Sequence, residues 1–187
     1  MNRIAVAVVA WVLLGLEAGL MNAMELGHTG IAPSFVTVLA VFVALAATPG
    51  QTVWTCLLLG LCLDLTNPMT LHTPAGATAT IVGPFALGFV LMGQFLLTMR
   101  SMLIRHNPLT MAAMVLVGSI IVHVFVSAAF TVRSVYDPLA WELWPELTRR
   151  LGVSAYSAVI AFPMALALIP AAPLLGLHMG HAKPHGR

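Results

Sequence analysis

Three ionisable residues, Glu17, Asp64 and His123, interrupt stretches of sequence that are otherwise apolar. An ionisable side chain in hydrocarbon costs about 2.5–3.5 kcal/mol on insertion scales, so each needs a partner or a route to water. At ~1.5 Å rise per residue, and counting from the end expected to face the cytoplasm, Glu17 stands about 20 Å along its stretch, Asp64 about 22 Å and His123 about 21 Å. Matching depth predicts that they converge in one polar cluster that opens outward. The alternative is three separate groups that bond to backbone or reach the interface. Their neighbours at helical spacing are polar or small: Thr52, Cys56 and Gly60 lead to Asp64, and Ser119, Ser127 and Thr131 flank His123. Such stripes belong on helix-facing surfaces. Gly15 and Gly19 form a further small-residue pair, with Glu17 between them pointing roughly the other way.

Other chemistry is weak. The patterns G-x-S-x-G, H-E-x-x-H and the P-loop are missing, and an acid–base pair of Asp64 with His123 has no supporting motif, so the chain reads as noncatalytic. His178, His181 and His185 crowd a tail containing glycine and proline, which reads as solvated rather than as a metal site, and no cofactor is expected. The eleven methionines read as packing fillers. Cys56 and Cys62 fall in one apolar stretch, and six residues along a helix sets them about 120° apart, so they read as buried thiols that cannot bridge each other.

These residues must be positioned by elements that suit hydrocarbon. Of 187 residues, 60% are hydrophobic and 7% charged, against about 25% charged in an ordinary soluble domain. A net charge of +2 without a basic run excludes nucleic acid as a partner. A transmembrane helix needs about 20 apolar residues. Six stretches approach that length: 4–20, 31–47, 49–65, 79–99, 109–132 and 153–175. The expected fold is an all-α integral membrane protein in a single polytopic domain, with a bundle of six helices. The count becomes five if 49–65, which ends near Asp64, is half of a helical hairpin with 31–47. Arg3 before an apolar run, with small residues near Ala23, also suits a secretory signal. The run is too long and Glu17 interrupts it, so an uncleaved first span is expected.

Basic residues set the orientation, because Lys and Arg in short loops stay cytoplasmic. With the N-terminus inside, Arg3, Arg100, Arg105, Lys183 and Arg187 share the cytoplasmic side with no acidic residue. Glu25, Asp64, Asp137, Glu142 and Glu146 fall outside, with Arg133, Arg149 and Arg150. Between the last two spans, Asp137-Pro138 suggests a cap, and Leu139, Leu143, Leu147 and Leu151 recur every four residues. This predicts an amphipathic helix over about 138–151 lying flat on the outer surface, kinked at Pro145 and anchored by Trp141 and Trp144. It serves as a membrane-bound connector or as a docking surface.

The run Leu59-Gly60-Leu61-Cys62-Leu63-Asp64-Leu65, followed by Pro68-Met69-Thr70-Leu71 and an apolar stretch ending near Arg100, resembles the rod shape-determining MreD family. Gly60, Asp64 and Leu71 match its pattern, while His72 stands where the family usually has glycine. The resemblance implies a noncatalytic scaffold of the bacterial cell-elongation machinery in the inner membrane. It further implies direct binding to MreC, with MreB, RodA and a class B penicillin-binding protein in the same complex, in support of lateral peptidoglycan synthesis and cell shape. The competing reading is a substrate-binding subunit of an energy-coupling-factor vitamin transporter, also a six-span protein of about this size. The low aromatic content, 7%, weighs against it.

Overall fold

The computed structural model describes residues 1–27, 29–70, 78–103, 107–137 and 139–177. Leu71, His72 and the tail histidines lie outside the described residues. Within them the chain forms six helices: α1 (Arg3–Met24), α2 (Phe35–Ala46), α3 (Pro49–Thr66), α4 (Pro84–Met99), α5 (Pro108–Arg133) and α6 (Leu143–Ala171). Between α3 and α4, Met69–Thr70 (β1) pairs antiparallel with Thr78–Ala79 (β2), Met69 opposite Ala79. The fold is all-helical apart from this pair. α1, α5 and α6 are long and apolar enough to cross a membrane, and α2 and α4 are shorter apolar helices.

The centre of the bundle is α2. Its sequence, FVTVLAVFVALA, has no polar face, and a helix apolar all round is stable only where every side is covered. Residues 35–45 are all buried, and α1, α3, α4, α5 and α6 each pack against it. The remaining helices expose what α2 hides. Ile4, Trp11, Trp54, Leu91, Val124, Val159 and Phe162 are exposed, with members on α1, α3, α4, α5 and α6. An apolar girdle of this extent has no place in water and fits lipid. These are the features of an all-helical membrane protein.

Several boundaries move from their expected places. The stretch 79–99 becomes helical only at Pro84, because Gly83 takes φ +130° and Pro84 opens the helix. Residues 31–34 are not helical, and Ser34, itself extended, caps α2 through the Thr37 N–H at 3.2 Å. The flat helix over 138–151 does not form as a separate element. Residues 143–151 instead begin α6, which runs unbroken for 29 residues. Pro145 is the third residue of that helix, where its missing N–H is not needed, so it neither ends nor interrupts it. Asp137 accepts from Arg133 Nε at 2.6 Å instead of capping a helix.

The two expected tryptophan anchors part company. Trp144 is exposed, whereas Trp141 turns inward, its ring tilted 44° against Phe130 and its Nε1–H donating to Thr131 at 3.0 Å. A methyl group added at Gly15 or Gly19 would meet nothing within 4 Å, so this small-residue pair faces open space on α1 rather than a neighbouring helix. Of the two thiols, Cys56 is buried and Cys62 partly exposed.

Candidate functional site

Asp64 ends the small-residue stripe of α3, whose members Thr52, Cys56 and Gly60 are all buried. Its carboxylate accepts three backbone N–H groups from the start of α4. Gly83 and Ala86 donate to Oδ2 at 2.9 and 3.1 Å, and Phe85 donates to Oδ1 at 2.9 Å. The first N–H groups of any helix lack intrahelical acceptors, and a glycine cap has no side chain to supply one. Asp64 therefore caps α4 from a different helix, with its negative charge at the positive end of the dipole.

Glu17 does the same for α2. Its Oε2 accepts from the Val36 N–H at 2.9 Å and from the Ser34 hydroxyl at 3.3 Å. Ser157 of α6 accepts the Ser34 N–H at 2.8 Å, fixing the extended approach to the helix. Glu17→Ala is expected to cost about 1–3 kcal/mol, because the Val36 amide is buried and loses its acceptor. Glu17→Gln keeps an acceptor oxygen and retains most of the stability. Thermal unfolding of the two variants in detergent checks this ordering.

The expected cluster of three resolves into two sites. Glu17 and His123 line one cavity of about 260 Å³, while Asp64 does not line it. No hydrogen bond joins any two of the three among the described residues, because each carboxylate is taken by a helix N-terminus. Asp64 is linked to the cavity through Phe85, whose N–H it accepts and whose ring stands edge-on to His123 with centroids 6.5 Å apart. His123 is 8% exposed, and neither ring nitrogen has a hydrogen-bond partner among the described residues; Ser127, one turn on, has none either.

The residue that dominates this cavity is one that sequence alone did not single out. Arg150 lies on the second turn of α6, 6% exposed, with its guanidinium carbon 5.5 Å from the Phe85 ring centroid, 5.8 Å from Phe130 and 5.5 Å from Trp141. Cation–π attraction to each ring reaches about 2 kcal/mol when desolvated. Arg150 Nε donates to Glu146 at 3.0 Å. Arg149 also donates to Glu146, through Nε and Nη2, and through Nη1 to the Gly30 carbonyl at 3.1 Å. Glu146, Arg149 and Arg150 stand at i, i+3 and i+4, a spacing that suits a surface network on a flat helix equally well. Their place in the first turns of α6 sets them over the cavity. The three rings come from α4, α5 and the segment before α6, a convergence no local spacing reveals.

Among the described residues, no group of three or more His, Cys, Asp or Glu is arranged to hold a metal ion. What the site offers is a fork of guanidinium donors, an imidazole able to donate or accept, and an apolar wall that includes Leu14, Met21 and Phe89. Compared with protein-family models, with curated proteins and with solved structures, the chain has no match in any of the three. Fold and site together define an all-helical membrane protein with a cavity to which all six helices contribute, its charged groups coming from α1 and α6 and its imidazole from α5.

Proposed function

We propose that this protein is a noncatalytic scaffold of the bacterial cell-elongation machinery, of the MreD kind, built as a six-span bundle in the inner membrane with both termini cytoplasmic. The observation that carries the reading is the latch between α3 and α4. Gly60 and Asp64, the residues on which the resemblance rests, bring the two helices into backbone contact and hold them there. A rigid helix pair with a fixed outer end suits a protein whose work is to present a surface. MreC is the proposed direct partner, at the outer ends of α3 and α4, with the start of α6 as second choice. MreB, RodA and a class B penicillin-binding protein complete the assembly.

The six-span arrangement draws support from burial. α2 covers only ~18 Å and α4 ~24 Å, less than the ~30 Å hydrocarbon layer. The non-helical residues 31–34 lengthen the first of these crossings, and non-helical backbone is tolerated at depth where it is buried or lines a cavity. Ala32, Pro33 and Ser34 are buried and line it. The shared side for the termini draws support from the Asn2 N–H, which donates to the Leu175 carbonyl at 2.8 Å.

Isolation of the tagged chain from bacterial membranes tests the scaffold. A single-span protein with an extracytoplasmic coiled coil is expected to copurify, together with the elongation polymerase pair. Recovery without any of them counts against the reading. The cavity favours a second one, the vitamin-binding transporter subunit, and this predicts copurification of an ATPase pair and a tightly held vitamin.

A further inference from the structure

The cavity holds more polar capacity than the fold uses. Glu17 is engaged by α2, and Glu146 by both arginines. Arg150 spends Nε on Glu146, and no hydrogen bond from its Nη1 or Nη2 forms among the described residues; His123, which lines the same cavity and shares the Phe85 ring with Arg150, leaves both buried nitrogens unused. A buried polar atom without a partner, as each His123 nitrogen is, costs about 1–3 kcal/mol. The charged groups lining the cavity are Glu17, Glu146, Arg149 and Arg150, and each carboxylate is held by its own donors, Glu17 by Val36 and Ser34 and Glu146 by the two arginines.

We propose that this cavity binds a phosphate group, with Arg150 Nη1 and Nη2 forming a two-pronged contact and His123 donating from a second direction. Guanidinium groups recognise oxyanions through such forked pairs. Donors that converge from an arginine on α6 and a histidine on α5 suit a tetrahedral anion, whose oxygens point out of one plane, better than a flat carboxylate. The rings of Phe85, Phe130 and Trp141 fix the guanidinium in place, so little side-chain entropy is lost on binding. The remaining volume is walled by Leu14, Met21, Leu63 and Phe89, which gives an apolar substituent on the phosphate somewhere to lie. The occupant is a phosphate ester, either a lipid headgroup or a free metabolite. This inference does not depend on the scaffold reading, since copurification of elongation proteins neither requires nor excludes it.

The test uses the full chain in maltoside micelles, which carry no phosphate. Inorganic phosphate is titrated in one arm, and phosphatidylglycerol, with diacylglycerol as the phosphate-free control, in the other; the unfolding midpoint is followed in both. A saturable rise with inorganic phosphate assigns the site to free phosphate esters, and a rise with phosphatidylglycerol alone assigns it to a headgroup. His123→Phe keeps a ring in place but removes both nitrogens, and is expected to weaken the response about tenfold. Arg150→Lys keeps the charge and loses the fork, with an effect at least as large. Absence of a saturable response to both probes in the unaltered chain overturns the proposal. So does an unchanged affinity in either variant that folds.

Discussion

Asp64→Ala is expected to lower stability by about 3 kcal/mol, because it strands three amide donors at the start of α4 in a setting where water replaces the carboxylate poorly. The Ala86 N–H is buried and bears most of that cost, while those of Gly83 and Phe85 are part-buried and bear less. Loss of a negative charge from the helix N-terminus adds up to about 1 kcal/mol. Asp64→Asn separates the contributions. Its amide oxygen can serve the paired donors of Gly83 and Ala86, but its NH₂ group then opposes the Phe85 N–H, so a smaller loss of about 1–2 kcal/mol is expected. Unfolding of the three proteins in one detergent gives the order native, Asn, Ala. An Ala variant as stable as the Asn variant would show that solvent reaches the end of α4 and that the cap is dispensable. The effect also has a direction within the fold. Phe85 is the second residue of α4, and its ring touches both His123 and Arg150, so a frayed α4 loosens the cavity wall without any change to the residues lining it.

Asp64 and Glu17 show how much of this site can be read from sequence. Their cost in hydrocarbon was plain from composition alone, and so was the need for partners. The partners were not plain, because matching depth pointed to other side chains, and the structure supplies helix N-termini instead. An extended approach before α2 and a glycine cap before α4 each create orphan amides inside the bundle, and a carboxylate on the preceding helix answers each. The clue lay in Gly83-Pro84 and Ser34-Phe35, two helix starts set well inside stretches that looked continuous by hydropathy. Apolar periodicity registers where a chain can be buried. It is blind to where the helix begins within that length.

The same limit explains Arg150. On a flat surface helix it would be one of two arginines answering Glu146, worth a few tenths of a kcal/mol. The length of helix added at the front of α6 carries it into an aromatic box. Nothing in 143–151 itself distinguishes the two outcomes, since four-residue leucine spacing suits an interfacial helix and the first turns of a spanning one equally. The structure decides through contacts from elsewhere: Ser119 to Ser154 at 3.0 Å, and Ile31 packed against Gly152, tie this segment to α5 and to the approach to α2.

Gly60→Ala is expected to be as damaging as removal of the carboxylate, for a steric reason. A methyl group on Gly60 would meet the Ala86 Cα and the Phe85 carbonyl oxygen at 2.6 Å and the Ala86 nitrogen at 2.9 Å. Carbon atoms rest about 3.5–4.0 Å apart, so the helices must separate by roughly 1 Å. All three obstructing atoms are backbone, and no rotamer change can make room. Separation on that scale stretches the bonds from Asp64, now 2.9–3.1 Å, past hydrogen-bonding range. The substitution therefore costs about 3 kcal/mol, above the middle of the usual range for overpacking. It should also be strongly non-additive with Asp64→Ala, since either change alone opens the latch. Gly15→Ala and Gly19→Ala supply the contrast. Nothing lies within 4 Å of either position, both are in the middle of α1, and a gain of about 0.5–1 kcal/mol in helix stability is expected. Unfolding midpoints that fall for Gly60→Ala and hold or rise for the other two would separate a glycine required by contact from glycines that are merely present. Equal losses at all three would mean that helix approach at Gly60 is not what holds α3 to α4.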